Sequence, residues 1–210
     1  MIAVIDYGVG NLFSIKSSFA RIGVDAVVTA DKKIIQNADR IMLPGVGAFE
    51  DAAKKLRQSG MADLLREEVK KGKCLMGICL GMQLLFEKSY EYGEHKGLGL
   101  IKGVIRPIKE KHEACGISLK VPQIGWNAVS FTEEDCPLTR GVQSGTCFYF
   151  VNSYRVIPEE EGITAGITDY GSDFCSMIHS GNIYAAQFHI EKSGEPGLKM
   201  LSNFAALSKK

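Results

Sequence analysis

Residues 1–87 alternate between short apolar runs and stretches whose apolar residues recur three and four apart, and this alternation restricts the possible folds more than any other feature. Ile2-Ala3-Val4-Ile5 reads as a strand, followed by the turn Asp6-Tyr7-Gly8-Val9-Gly10. Asn11 fits the N-cap of a helix carrying Leu12, Ile15, Phe19 and Ile22. Residues 24–29 read as a second strand and 40–43 as a third, which Pro44-Gly45-Val46-Gly47 ends. Two helical patterns follow, one with Phe49, Ala52, Ala53 and Leu56, the next with Met61, Leu64, Leu65 and Val69. A strand over 74–78 runs directly into a helical pattern with Met82, Leu84, Leu85 and Phe86. Strands that are apolar throughout, separated by amphipathic helices, predict a parallel sheet covered on both faces.

After Gly99 the pattern becomes β-rich, with runs at 100–105, 117–121, 128–131, 146–154, 163–168, 174–179 and 183–188. Ser180-Gly181-Asn182 is the best hairpin turn among them. A closing helix carries Leu198, Leu201, Phe204 and Leu207. With no linker or repeat, residues 1–210 read as one α/β domain whose mostly parallel sheet gains antiparallel strands in its second half.

A net charge of +1 gives no electrostatic reason to expect a nucleic acid or an anionic membrane as partner. The N-terminal apolar run meets Asp6 too soon for a signal peptide, and the richest apolar stretch, 74–86, is too short to span a bilayer. Six cysteines at positions 74, 79, 115, 136, 147 and 175 are too sparse for a disulfide scaffold, so a cytoplasmic chain with reduced thiols is expected. Neither phosphate-binding glycine fingerprint is present, so no nucleotide cofactor is expected. Cys74 and Cys79 lack a matching His/Cys pair, and His112 with Cys115 is isolated, so no metal site is expected either.

Three segments carry chemistry. Gly77-Ile78-Cys79-Leu80-Gly81, between an apolar strand and a helix, has the spacing of a nucleophile elbow. Its small residues let backbone segments approach, and the start of a helix offers a thiolate free N–H groups. By itself the pattern also fits a buried cysteine in a tight turn. Gln187-Phe188-His189-Ile190-Glu191-Lys192-Ser193 follows a late strand; in an extended segment His189 and Glu191 point to the same side and can pair as base and orienting acid. Taken alone, this could equally be a surface histidine beside a glutamate. Backbone N–H groups at Val46 and Gly47 could join that of Leu80 in stabilising an oxyanion.

Together these segments resemble the class I (triad) glutamine amidotransferases, and within them the glutaminase subunits of imidazole glycerol phosphate synthases. The resemblance extends to Asp6-Tyr7-Gly8-Val9-Gly10-Asn11, Pro122-Gln123-Ile124-Gly125-Trp126-Asn127 and Tyr149-Phe150-Val151-Asn152-Ser153-Tyr154. It implies a flavodoxin-like α/β fold and a Cys79–His189–Glu191 triad that hydrolyses glutamine to glutamate and ammonia. Gln83, Glu91, Ser153 and Tyr154 match positions that hold glutamine, and Val46, Gly47 and Leu80 match the oxyanion site. It further implies a heterodimer with a (β/α)8-barrel cyclase in histidine biosynthesis, contacted near Asn11, Trp126, Tyr149 and Lys192. The chain has no recognisable phosphate site for an ammonia acceptor, consistent with a partner supplying it.

Three positions depart from the pattern: Ile190 where proline is usual, and Gln123 and Asn152 where histidine is usual. The first predicts a looser triad, since proline fixes the backbone and isoleucine does not. The other two leave open a glutaminase serving a different acceptor, such as a surface-sugar amidation enzyme. A regulatory subunit with a decayed site is the remaining alternative.

Overall fold

Every residue of β1 (Ile2–Ile5) is buried, because successive side chains serve opposite faces of one sheet. Ala3 and Ile5 join one apolar cluster, Ile2 and Val4 the other. The computed structural model describes residues 1–133 and 135–207. Its first half continues with α1 (Leu12–Arg21), β2 (Ala26–Thr29), α2 (Lys32–Asn37), β3 (Arg40–Leu43), α3 (Phe49–Gln58), α4 (Met61–Lys70), β4 (Cys74–Ile78) and α5 (Leu80–Leu84). The second half adds β5 (Phe86–Ser89), β6 (His95–Lys96), β7 (Ile101–Pro107), α6 (Ile108–Ala114), β8 (Gln123–Ala128) and β9 (Ser130–Phe131). Then come β10 (Cys147–Asn152), β11 (Tyr154–Pro158), β12 (Thr164–Asp169), β13 (Asp173–Ser180), β14 (Ile183–Ala186) and α7 (Gly194–Ala206).

The main sheet has twelve strands in the order β2-β1-β3-β4-β14-β13-β11-β7-β5-β6, with β12 beside β13 and β9 beside β12. From β2 to β14 all neighbours are parallel, and β13, β11 and β12 bring the antiparallel pairings. The mixed α/β sheet expected from the sequence is therefore present. β8 and β10 form a separate antiparallel pair. Helices α2, α3 and α4 cover one face, where Leu56, Leu65 and Ile35 are fully buried. On the other face α1 and α7 contribute Ile15, Phe19, Leu201 and Phe204. Burying each such side chain contributes about 1.5–3 kcal/mol, and the helical spacings are what gather them on one stripe.

Several local expectations are corrected. Asn11 occupies the N-cap of α1, but its side chain makes no capping bond. The helix after Cys79 ends at Leu84; Leu100 and Ile101 donate to the Leu85 carbonyl, and Phe86 opens β5 alongside β7. Residues 117–121 form no strand, although they alternate suitably, because no sheet edge reaches them. Helix α2 had one buried apolar position, Ile35, and is started by the Asp31 carboxylate accepting from Lys33 N at 2.7 Å. The β13–β14 hairpin turns at Gly181-Asn182 as expected, with Gly181 at φ 61°.

Candidate active site

Cys79 stands at the C-terminal end of β4, at φ 54° and ψ −113°, with its N–H donating to Ala186 O on the adjacent β14 at 2.8 Å. This left-handed turn is costly for a residue with a Cβ and persists where its surroundings enforce it. They do so through backbone contact. A Cβ on Gly77 would lie 2.8 Å from Gly81 O, and one on Gly81 would run into Leu43 O at the end of β3. A Cβ on Gly45 would sit 2.7 Å from Gly81 N. The Pro44–Gly47 turn is thus pressed against the elbow, and Tyr7 holds it from the far side by donating its hydroxyl to Pro44 O at 2.8 Å. Burial, and then the charge of Cys79, raise the Tyr7 hydroxyl well above its ordinary range, so it remains a donor. The three glycine-rich segments meet at the C-terminal ends of β1, β3 and β4, where open parallel sheets place their ligands.

His189 follows β14 and lies almost wholly buried beside this elbow. Its Nδ1 is 2.8 Å from Glu191 Oε1. The pairing is the expected one, but the backbone is not extended: residues 190–192 form a single 3-10 turn, Ile190–Lys192, with His189 at its N-cap. The looseness expected from Ile190 is absent too. The Glu191 side chain is 1% exposed and that of His189 2%, and the buried Ile190 side chain packs in the core beneath them. The other ring nitrogen, Nε2, is buried with no completed hydrogen bond. The Cys79 thiol is the group that faces it. Burial alone pushes this imidazole down, but hydrogen bonding and charge from Cys79 and Glu191 outweigh it and lift His189 from 6.5 to about 10. The ring is therefore favoured as the imidazolium, able to give a proton to a group leaving a carbon bound at Cys79.

A cavity of about 530 Å³ opens over Cys79 and His189. Val46, Gly47, Leu80, Gln83, Glu91, Ser153 and Tyr154 all line it. The structure thus brings together every residue singled out for substrate and oxyanion binding, with Glu191 behind the imidazole. The Glu91 carboxylate accepts from Phe49 N, at the start of α3; burial raises its pKa, against the opposing pull of that N–H and of His95. Asn152 also lines the cavity and faces Gln123 across the β8–β10 pair. Asn152 Oδ1 and Gln123 Oε1 are buried acceptors without a partner. Among the four interface candidates, Trp126 packs edge-on against Tyr149 with centroids 6.0 Å apart, and Lys192 Nζ lies 5.8 Å from the Tyr149 ring. Asn11 begins α1, the helix that packs on the Ile190–Lys192 turn.

Two residues of the site escaped the sequence reading as individuals. Gln187, fully buried, accepts from Gln83 Nε2 at 2.9 Å and donates through its own Nε2 to Cys79 Sγ at 3.7 Å. Ser193 Oγ donates to His189 O at 2.6 Å and accepts from Tyr149 N at 3.0 Å, closing the backbone around the imidazole. Both lie inside the His189 motif, and for Gln187 a polar residue in an otherwise apolar strand end was the available signal.

The family model described as "Glutamine amidotransferase class-I" matches residues 3–207. A protein of Aquifex aeolicus (strain VF5), "Imidazole glycerol phosphate synthase subunit HisH", is 45% identical over 208 residues, covering 99% of this chain and 97% of its own. A HisH subunit of Sulfurimonas denitrificans (strain ATCC 33889 / DSM 1251) is 47% identical over 205 residues, covering 97% of each. Among solved structures, "Structure of PurLQS from Thermotoga maritima" matches with a TM-score of 0.73 at 19% identity, over 97% of this chain and 96% of that one, and so shares the fold. With the whole matched length accounted for by that family, the chain belongs to the class I glutamine amidotransferases, in their group of HisH subunits.

Proposed function

We propose that residues 1–210 act as one cytoplasmic amidotransferase domain, the glutaminase subunit of an imidazole glycerol phosphate synthase in histidine biosynthesis. The observation that carries this reading is the contact chain from Glu191 through His189 to Cys79 at the floor of the cavity, joined to the similarity to HisH subunits.

In this reading the Cys79 thiolate attacks the side-chain amide carbon of glutamine. The oxyanion that forms is met by backbone N–H groups around Val46, Gly47 and Leu80. His189, as imidazolium, protonates the departing nitrogen, so ammonia leaves and a glutamyl thioester remains. Neutral His189 then takes a proton from water, hydroxide adds to the thioester, and collapse releases glutamate and regenerates the thiolate. Glu191 holds the imidazole in one orientation throughout. Glu91 carries the negative charge suited to the α-ammonium group of glutamine, while Gln83 and the backbone of Ser153 and Tyr154 fix the remainder.

Ammonia set free in water at neutral pH becomes ammonium and loses its nucleophilicity. Its partner in this reading is the (β/α)8-barrel cyclase that the family resemblance implies, docked as a heterodimer and contacted near Asn11, Trp126, Tyr149 and Lys192. That subunit makes imidazole glycerol phosphate and aminoimidazole carboxamide ribotide. The test is glutamate release from glutamine with and without the cyclase. Stimulation by the cyclase, abolished in Cys79→Ala, supports the reading. Stimulation by a sugar amidotransferase instead assigns another acceptor, and stimulated activity that survives Cys79→Ala overturns the nucleophile.

A further inference from the structure

A second constellation lies at the opposite end of the β4–β14 pair. Cys79 follows the Ala186–Ile78 register, whereas His179 sits on β13 just before the hairpin whose return strand opens at Ile183 opposite Leu75. There Glu133, Cys136 and His179 bring one carboxylate oxygen, one sulfur and one ring nitrogen within 4.8 Å of one another. It is not legible in the sequence, because the residues lie on two segments that only the sheet joins.

The orientation of the imidazole makes this more than an ion pair beside a thiol. His179 Nε2 lies 3.2 Å from the Gly181 carbonyl, which can only accept, so Nε2 carries a proton. In the neutral ring Nδ1 then presents a lone pair, and it faces both Glu133 oxygens at 2.9 Å. Lone pair against carboxylate is repulsive unless a proton or a cation lies between them. A histidine that donates its far N–H to a backbone carbonyl while offering the near nitrogen is the usual arrangement around a bound metal. The Tyr184 ring, stacked on His179 at 4.5 Å and 11°, fixes the plane of the imidazole. Cys136 supplies the third donor from the base of the Pro137–Thr139 turn, where the N–H groups of Leu138 and Thr139 point at its sulfur. Burial raises this thiol, and the Glu133 carboxylate adds to the rise against the pull of those two N–H groups, so a cation shared with Glu133 is what would bring out the sulfur as a ligand.

We propose that Glu133, Cys136 and His179 form a binding site for one divalent transition-metal ion of the zinc class. The O, N and S donor set is of the type that takes zinc or cobalt rather than magnesium or calcium. A cleft bordered by Glu133, Asp135 and Cys136 leaves room for a water or the Asp135 carboxylate as fourth ligand. The ion would tie the turn after β9 to the β13–β14 hairpin, and its seat shares no residue with the Cys79 cavity.

The experiment uses the full chain carrying Cys79→Ala, so that the catalytic thiol cannot bind the probe, and titrates it with cobalt(II). A saturable thiolate-to-cobalt charge-transfer band at one ion per chain, discharged by zinc, is expected. The band is lost in Cys136→Ser, and affinity falls at least about tenfold in His179→Gln. Zinc also raises the melting temperature of the parent and not of the Cys136→Ser chain. Cyclase-stimulated glutaminase activity, measured with Cys79 intact, reports that each variant is folded. Absence of the band in the parent, or its survival in Cys136→Ser, overturns the proposal.

Discussion

His189 and Glu191 are joined by a 2.8 Å hydrogen bond across a single 3-10 turn, with both side chains sealed from solvent. The turn brings residues two apart in sequence around to the same point, and Ser193 locks it from behind through the His189 carbonyl. No proline stands between them: the buried Ile190 side chain anchors the turn through packing, where proline would anchor it through its ring. Glu191→Gln preserves shape but removes the charge that orients and stabilises the imidazolium. In the complex, kcat for glutamine hydrolysis is expected to fall about 10²- to 10⁴-fold with KM nearly unchanged. A parallel rise in KM would place Glu191 in substrate binding instead.

Burial pulls the His189 imidazole down, but hydrogen bonding and charge from Cys79 and Glu191 outweigh it and raise the group to about 10. A folded pKa above the unfolded value contributes stability that is complete below about 6.5 and is lost as pH rises through about 10. Ring NMR shifts followed from pH 6 to 11 should show the wild-type imidazole deprotonating near the upper value, and at lower pH in both Cys79→Ala and Glu191→Gln. In urea denaturation, the wild type should accordingly lose more stability between pH 7 and 10 than either variant. Equal titration in all three chains refutes the proposed coupling.

Gln187 ties Gln83 to Cys79, accepting from one and donating to the other, with all three side chains buried. Gln187→Leu leaves the Gln83 amide with an unmet donor, an effect of about 1–3 kcal/mol on unfolding free energy. Released from its tether, Gln83 should also lower kcat/KM for glutamine. Urea denaturation and steady-state kinetics on the same preparation read both effects, and an unchanged kcat/KM limits Gln187 to a structural role.

Trp126 is 56% exposed, an uncommon setting for the one indole of the chain, and Ile124 on the same strand is 63% exposed. Its edge contact with Tyr149, which in turn lies 6.5 Å from the His189 ring, connects this patch to the catalytic imidazole. Trp126→Ala should weaken cyclase binding by about 2 kcal/mol, about 30-fold in Kd. The melting temperature of the free subunit should hardly move. Calorimetric titration of the cyclase checks the first, thermal unfolding the second, and unchanged affinity removes Trp126 from the interface.

The strands that were legible in the sequence are those buried on both faces, such as β1 and β4, whose unbroken apolar runs leave no other reading. The helices α3 and α4 were legible because Phe49, Leu56, Leu65 and their neighbours keep a strict helical spacing. Helix α6 was not, because its buried residues are an isoleucine and a histidine, Ile108 and His112, among charged ones. Residues 117–121 show the opposite error: alternation makes a segment able to be a strand, and only a vacant sheet edge makes it one. At the site, Cys79 and His189 were visible because their motifs are local. The Glu133–Cys136–His179 group and the Gln187 bridge were not, since each depends on pairings across long stretches of chain.

The pairing of β4 with β14 puts the thiol and its base on adjacent strands that the gene encodes far apart. During synthesis on the ribosome, the elbow and its neighbours β1 and β3 emerge early, and the thiol waits without an imidazole beside it. His189 arrives only when β14, the last strand in sequence, slots between β4 and β13, a pairing with β4 that spans all the chain from β5 to β13. A nascent or truncated chain therefore holds a cysteine but no proton donor for the leaving nitrogen.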